Sequence, residues 1–319
     1  MTRSRLQGNI LLFITALIWG AAFVAQKIGV VHLGVFTFTA VRFLISGVAL
    51  LPLAILRGRR QNTEIAEPTH SADTKARHKY LWIGGVLCGL FLMFATVTQQ
   101  VGLTSTTAGK AGFITALYIL FVPLLRLFGG KKASAVVWIS VLAGVAGLYL
   151  LCVKEDFSVD KGDLMVLLCA LVFSGHILIV DKVSPHTDCV RMSCIQFFVA
   201  SAIAAVPMLI FEKPDIQVIL SSWAPLLYLG VVSGGIGYTL QILGQKNTEP
   251  TVASLIMSLE AVFAAVSGVL FLQERFIAKE LVGCILMFAA IIVSQINFRD
   301  LMFRFKKGNP RNKGFPGGF

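Results

Sequence analysis

The side chains that could do chemistry in this sequence are a few polar residues set inside long apolar runs. Glu260 stands in ASLIMSLEAVFAAVSGVLF, about ten residues from either end of its run and so ~15 Å from each end if the run is a helix. A charged carboxylate at that depth of a membrane costs about 2.5–3.5 kcal/mol on the gentler insertion scales. Three arrangements avoid that cost: holding it protonated as a hydrogen-bonded structural group, wetting it in a cavity, or pairing it with a cation. The last two would make it a coupling group that carries a proton or meets a substrate amine. His176, beside Ser174 and Gly175, reads as a proton relay or as a satisfied packing residue. Gly85, Gly89, Thr96, Gln99 and Gln100 recur at helical spacing, and Gly230, Gly234, Tyr238, Gln241 and Gln245 do the same further on. Each stripe either lines a cavity or hydrogen-bonds a neighbouring helix. Trp19 lies deeper in its run than the interfacial belt where Trp anchors, and reads as a cavity wall or as packing. Arg42 opens the second run and reads as an outer-surface cation that snorkels or pairs with a loop carboxylate. Lys27 and Asp181 sit at the far ends of their runs as interfacial charges.

Other chemistries lack their residues. There is no HExxH, GxSxG or GxxxxGK[ST], so no zinc hydrolase, serine hydrolase or NTPase is expected. No span carries the ring of like charges a channel filter needs. The six cysteines form no CxxC and fall mostly in apolar runs, so neither a disulfide nor a metal site is expected, and no cofactor is implied.

The elements that position these residues follow from composition. The chain has 319 residues, 56% apolar and 14% charged, with a mean hydropathy of +0.80. A soluble domain is nearer 45–50% apolar and about 25% charged. Ten runs approach the ~20 residues that cross a hydrocarbon core as a helix. They cover roughly 8–30, 34–56, 80–103, 106–128, 134–153, 162–182, 190–211, 222–243, 250–272 and 277–297. The first is too long for a signal peptide and lacks its cleavage site, so it is read as retained. The expectation is an all-α polytopic membrane protein.

The net charge of +12 lies in loops and ends, where anionic lipid headgroups are the fitting partner and nucleic acid is not expected. With the N-terminus inside, the inner side collects 20 of the 28 Lys and Arg residues. That excess favours an even number of spans with both termini in the cytoplasm. Residues 1–7 then form a cytoplasmic N-terminus, 57–79 a polar cytoplasmic loop, 154–161 an outer linker, and 298–319 a basic, Gly- and Pro-rich cytoplasmic tail.

The two halves repeat. ALIWGAAFVAQK (16–27) aligns with ALVFSGHILIVD (170–181), and RFLISGVALLP (42–52) with QFFVASAIAAVP (196–207), at shifts near 154. GLTSTTAGKAGFI (102–114) aligns with GQKNTEPTVASLI (244–256) at 142, and LAGVAG (142–147) with LVGCIL (281–286) at 139. Trp19 is thereby matched to Phe173, Thr96 to Tyr238, Gln99 to Gln241 and Tyr118 to Glu260. The repeats, 8–153 and 162–297, hold five spans each, and an odd number sends the second through the membrane upside down, a common transporter architecture. Gln99 and Gln241 are expected to face one shared aqueous cavity.

These segments resemble the EamA-type carriers of the drug/metabolite transporter superfamily. The likeness covers about 8–297 and rests on ALIWGAAFVAQK, VRFL, GLTSTTAGKAGFI, ASLIMSLEAVFAAVSGVLFLQE and LVGCILMFAAIIVS, with LFLQE, ending at Glu274, resembling the close of the second repeat. In the first repeat LFGGKK (127–132) has Lys where an acidic residue is expected. The resemblance implies a multi-pass secondary transporter in a bacterial plasma membrane that exports a small organic metabolite, such as an amino acid or drug-like compound, by alternating access. An uptake permease of the same fold is the alternative; a channel or an intramembrane enzyme lacks its motifs. Trp19, Thr96, Gln99, Gln100, Tyr118, His176, Tyr238, Gln241 and Glu260 are the cavity candidates. A monomer suffices for this scheme. Reporter fusions after Lys307 and within residues 62–72 are expected to give cytoplasmic signals; an extracellular signal from either contradicts the topology.

Overall fold

The computed structural model describes residues 3–29, 33–64, 71–106, 108–131, 133–152, 160–272 and 277–294. Residues 154–159 of the expected linker 154–161, and the tail 298–319, therefore lie outside the described residues, as does Glu274. All regular structure among the described residues is helical. The helices are α1 (Arg3–Gly29), α2 (Val35–Glu64), α3 (Ser71–Leu103), α4 (Ala108–Ala116), α5 (Tyr118–Phe128), α6 (Ala135–Cys152) and α7 (Lys161–Val183). After them come α8 (Cys189–Phe211), α9 (Ile216–Ser221), α10 (Trp223–Leu227), a π-helical segment (Tyr228–Tyr238), α11 (Thr239–Gln245), α12 (Pro250–Met257), α13 (Glu260–Leu272) and α14 (Ala278–Ser294).

Eight of the resulting spans are long and apolar enough to cross a bilayer. The fifth and tenth of the expected set are shorter, α6 with 18 residues and α14 with 17. At 1.5 Å per residue they reach only about 26 Å, a little under the hydrocarbon thickness. They pack along each other. Leu209, Phe211 and Ile292 are among many large apolar side chains turned outward, which suits a lipid-facing belt.

One expected boundary is corrected. The polarity of residues 57–79 predicts a loop, but α2 continues to Glu64 and α3 begins at Ser71. Most of that segment is helix projecting beyond the apolar core, because backbone hydrogen bonding propagates past the point where the side chains turn polar. The first helix likewise starts at Arg3 rather than residue 8.

The packing has the symmetry of the repeat. α2 pairs with α8 and α6 with α14, each with its counterpart in the other repeat. α1 packs on the π segment, α11, α12 and α13, while its counterpart α7 packs on α3, α4 and α5. Glycines set the closest approaches. A Cβ on Gly8 would lie 2.8 Å from the Gly244 carbonyl oxygen, and one on Gly162 would lie 2.8 Å from that of Gly102. These are the same contact made twice, since Gly8 and Gly162 are 154 residues apart and Gly102 and Gly244 are 142 apart. One contact sits at the face where α1 begins, called here the N-terminal face, and the other at the opposite face.

Each face is also tied by charge. At the N-terminal face Arg126 ion-pairs with Glu249 and donates to Thr251 Oγ1 at 3.0 Å. At the opposite face Glu212 caps α2, accepting from the Phe36 N–H at 3.0 Å, the Thr37 N–H at 2.7 Å and the Thr37 hydroxyl at 2.6 Å.

Gly102→Ala and Gly244→Ala are each expected to cost about 1–3 kcal/mol, because the added methyl meets a backbone carbonyl oxygen, that of Gly162 or Gly8, as well as the Val166 or Leu12 side chain. Gly112→Ala, with nothing near its Cβ, is expected to be neutral or stabilising by up to about 1 kcal/mol. Thermal unfolding of the three purified variants checks this, and equal melting points would contradict it.

Candidate functional site

Both repeats break a helix at the same place. α4 ends at Ala116 and α5 starts at Tyr118, while α12 ends at Met257 and α13 starts at Glu260. Three-residue hydrogen bonds carry the chain across each break, Leu120 N–H to Leu117 O at 2.9 Å and Ala261 N–H to Ser258 O at 3.2 Å. Tyr118 and Glu260 therefore both open a half-helix, and they meet: the Tyr118 hydroxyl donates to Glu260 Oε1 at 3.1 Å, with both side chains buried. α1 lies directly against this point, since a Cβ on Gly20 would be 2.8 Å from the Glu260 carbonyl oxygen.

Around the pair stand aromatic rings, several of them also matched between repeats. Phe43 stacks on Phe197, centroids 6.0 Å apart and planes at 11°. Trp19 meets its counterpart Phe173 edge-on at 5.8 Å. Tyr238 touches Trp19 at 4.7 Å and also contacts Phe43, Phe173, His176 and Phe197.

The π winding of Tyr228–Tyr238 comes from a run holding Gly230, Gly234, Gly235 and Gly237. Its backbone carbonyls accept from side chains of α1 and α2: Ser233 O from Trp19 Nε1 at 3.2 Å, Gly237 O from Thr15 at 3.3 Å and Gly230 O from Ser46 at 2.7 Å. Such satisfaction is what permits irregular backbone at membrane depth, and π turns often mark functional sites.

These elements enclose a cavity lined by Trp19, Gln26, Arg42, Thr96, Gln99, Thr115, Cys169, Phe173, Ser233, Tyr238 and Glu260, among others. It runs from mid-bundle toward the face where α1 ends and α2 begins. Side chains nearly fill it, leaving about 40 Å³ open to a water molecule. That holds a water or two, so a larger guest requires side chains to move.

Of the nine expected cavity residues, the structure places Trp19, Thr96, Gln99, Tyr238 and Glu260 on this wall, and Tyr118 directly behind Glu260. Gln99 Nε2 donates to Thr115 Oγ1 at 3.1 Å. Three others lie away from it. His176 is buried with Nε2 3.1 Å from Gln196 Oε1 and its ring stacked on Phe173. Gln100 is buried with neither side-chain amide atom hydrogen-bonded. Gln241 donates to Gln245 Oε1 at 3.0 Å, and Gln245 in turn donates to Ile177 O at 3.2 Å.

Gln241 thus does not share the cavity with Gln99, and the inversion is the reason. Gln99 lies in the last turns of α3 and Gln241 in α11, so equal positions in the two repeats fall in opposite halves of the bundle.

Arg42 needs a correction too. It is not an exposed interfacial cation but 3% exposed on the cavity wall, because α2 starts at Val35 and carries it two turns in. Gln26, Thr115 and Ser233 were not singled out from the sequence; Gln26 at least belongs to the repeated ALIWGAAFVAQK.

A multi-pass helical membrane protein with two five-span repeats around a polar, aromatic-walled cavity has the architecture of a carrier. The family model of the EamA-like transporter family matches residues 6–153 and 160–295. The chain belongs to that family. It is 28% identical over 295 residues, 91% of this chain and 86% of the other, to a protein of Archaeoglobus fulgidus named an uncharacterized transporter. A protein of Escherichia coli K12 named the uncharacterized inner membrane transporter YedA is 22% identical, over 81% of this chain and 80% of its own length. One solved crystal structure matches at a TM-score of 0.72 with 18% identity, over 92% of this chain and 98% of that one, which shows the shared fold.

In a background without native cysteines, Gln99→Cys is expected to react with a membrane-impermeant thiol reagent from one side. Gln241→Cys is expected to resist that reagent from that same side. Labelling of both from one side at equal rates contradicts the placement.

Proposed function

We propose that this chain is a secondary transporter that exports a small organic metabolite across a bacterial plasma membrane, with both termini in the cytoplasm. The observation that carries the reading is the meeting of Tyr118 and Glu260, two repeat-equivalent residues at two equivalent helix breaks, with Glu260 on the wall of the cavity and Tyr118 behind it. Broken helices at mid-membrane are where carriers of inverted-repeat architecture bind solutes and coupling ions. An E. coli relative named an inner membrane transporter supports the location.

Alternating access follows from the repeat. The cavity occupies one half of the bundle, lined by Gln26, Arg42, Gln99 and Thr115 from the first repeat. Their counterparts in the second repeat are Val180, Gln196, Gln241 and Met257, and all four are buried. If the repeats exchange conformations, the second set opens toward the N-terminal face as the first closes. Two arrangements related by the repeat symmetry have similar energies, so a modest difference in binding moves the population between them.

Glu260 is the coupling carboxylate in this scheme. Held by Tyr118 it is satisfied without water; released into the opened cavity it is wetted and exchanges a proton or meets a cationic group. Thr96, Trp19 and Tyr238 shape the wall around it. No catalytic step is assigned to any residue.

Glu260→Gln keeps the shape of the side chain and an acceptor for the Tyr118 hydroxyl while removing the titratable proton. The variant is expected to insert and fold as the parent does, and to lose at least about tenfold in transport in proteoliposomes or to show a flat pH profile. A variant with parental rate and parental pH dependence would make the carboxylate structural.

A further inference from the structure

The cavity holds an incomplete charge pair. Arg42 is 3% exposed and lines the cavity, yet its Nε and Nη1 are buried with no hydrogen-bond partner. The rings of Phe43 at 4.8 Å and Phe38 at 5.8 Å attract a cation through their faces but accept no N–H in the way an oxygen does. Among the described residues no carboxylate lies within ion-pairing distance of the guanidinium. Glu260, on the same wall, is engaged by Tyr118 instead. An unpaired guanidinium at this depth is expensive, and arginine does not escape the cost as lysine can, by shedding its proton.

The second repeat resolves the same position differently. There the counterpart of Arg42 is Gln196, an uncharged residue whose Oε1 lies 3.1 Å from His176 Nε2. The symmetry of the fold therefore does not require a cation here; only the first repeat carries one.

We propose that Arg42 receives the carboxylate of the transported solute, so that the cavity takes small organic monocarboxylates whose apolar part lies against Trp19, Phe173 and Tyr238. This assignment rests on the transporter reading of the same cavity. A guanidinium matches a carboxylate with two parallel N–H donors, and the charge-assisted bonds replace those the buried nitrogens lack. A dianionic phosphate fits less well: Arg42 is the one cation on the described wall, and Glu260 shares that wall. The aromatic rings offer an apolar face on the side away from the charge.

The test uses purified full-length protein and thermal unfolding with matched probes: benzoate, phenylacetate and butyrate, each beside its amide, plus phenyl phosphate. At least one carboxylate is expected to raise the melting temperature while its amide does not. Arg42→Gln is expected to weaken that carboxylate's apparent affinity at least about tenfold. Arg42→Lys, which keeps the charge but not the paired donors, is expected to fall between them and guards against a misfolded Gln variant. The proposal is overturned if no carboxylate stabilises the parent, if amides or phenyl phosphate do so as well as the carboxylates, or if both Arg42 variants respond like the parent. Counterflow of the stabilising probe in proteoliposomes separates the two readings. Arg42-dependent binding without counterflow would fail the transporter reading alone, and counterflow indifferent to Arg42 would fail this assignment alone.

Discussion

The bond between Tyr118 and Glu260 is the point on which the rest of this structure turns. Each residue begins a half-helix just after the break in its own repeat, and each is the other's counterpart. A carboxylate and a phenol are both costly to bury without a partner, and here each supplies what the other lacks. The breaks place them face to face.

Around that bond the two repeats are alike in packing and unlike in chemistry. The Gly8–Gly244 and Gly102–Gly162 contacts repeat one crossing at the two faces. Phe43 on Phe197 and Trp19 on Phe173 repeat the aromatic pairing at the centre. The polar residues differ: Arg42 against Gln196, Thr96 against Tyr238, Tyr118 against Glu260. Shared packing permits two related conformations, while the differing side chains give the cavity one carboxylate and one guanidinium rather than two of each. The π segment adds a local asymmetry, with its glycines admitting Trp19 and Ser46 close to the backbone.

The fold was largely legible because membrane physics is severe. A span must be apolar over ~20 residues whatever else it does, so ten runs, their repetition and the pairing of Tyr118 with Glu260 as counterparts could be read in one dimension. The contact between that pair could not. The breaks at Leu117 and at Ser258–Leu259 carry neither Gly nor Pro, so no local signal marks them in the sequence. The repeat pairs Gln241 with Gln99 in sequence, but inversion sends matched residues to opposite halves, so a matched position is not a shared location. Arg42 reads as a boundary charge in the sequence because its neighbours are apolar and its depth depends on where α2 starts. The alignment held a clue in the uncharged Gln196 opposite it.

The most direct test of this account is a double-mutant cycle on stability. Tyr118→Phe, Glu260→Ala and the double variant are compared with the parent by unfolding in one detergent. A bond that joins the two repeats at their breaks predicts a coupling of about 0.5–3 kcal/mol, the double variant losing less than the sum of the single losses. Additive losses, agreeing within about 0.5 kcal/mol, would show that the two residues do not act on each other and would contradict the central role given to their contact.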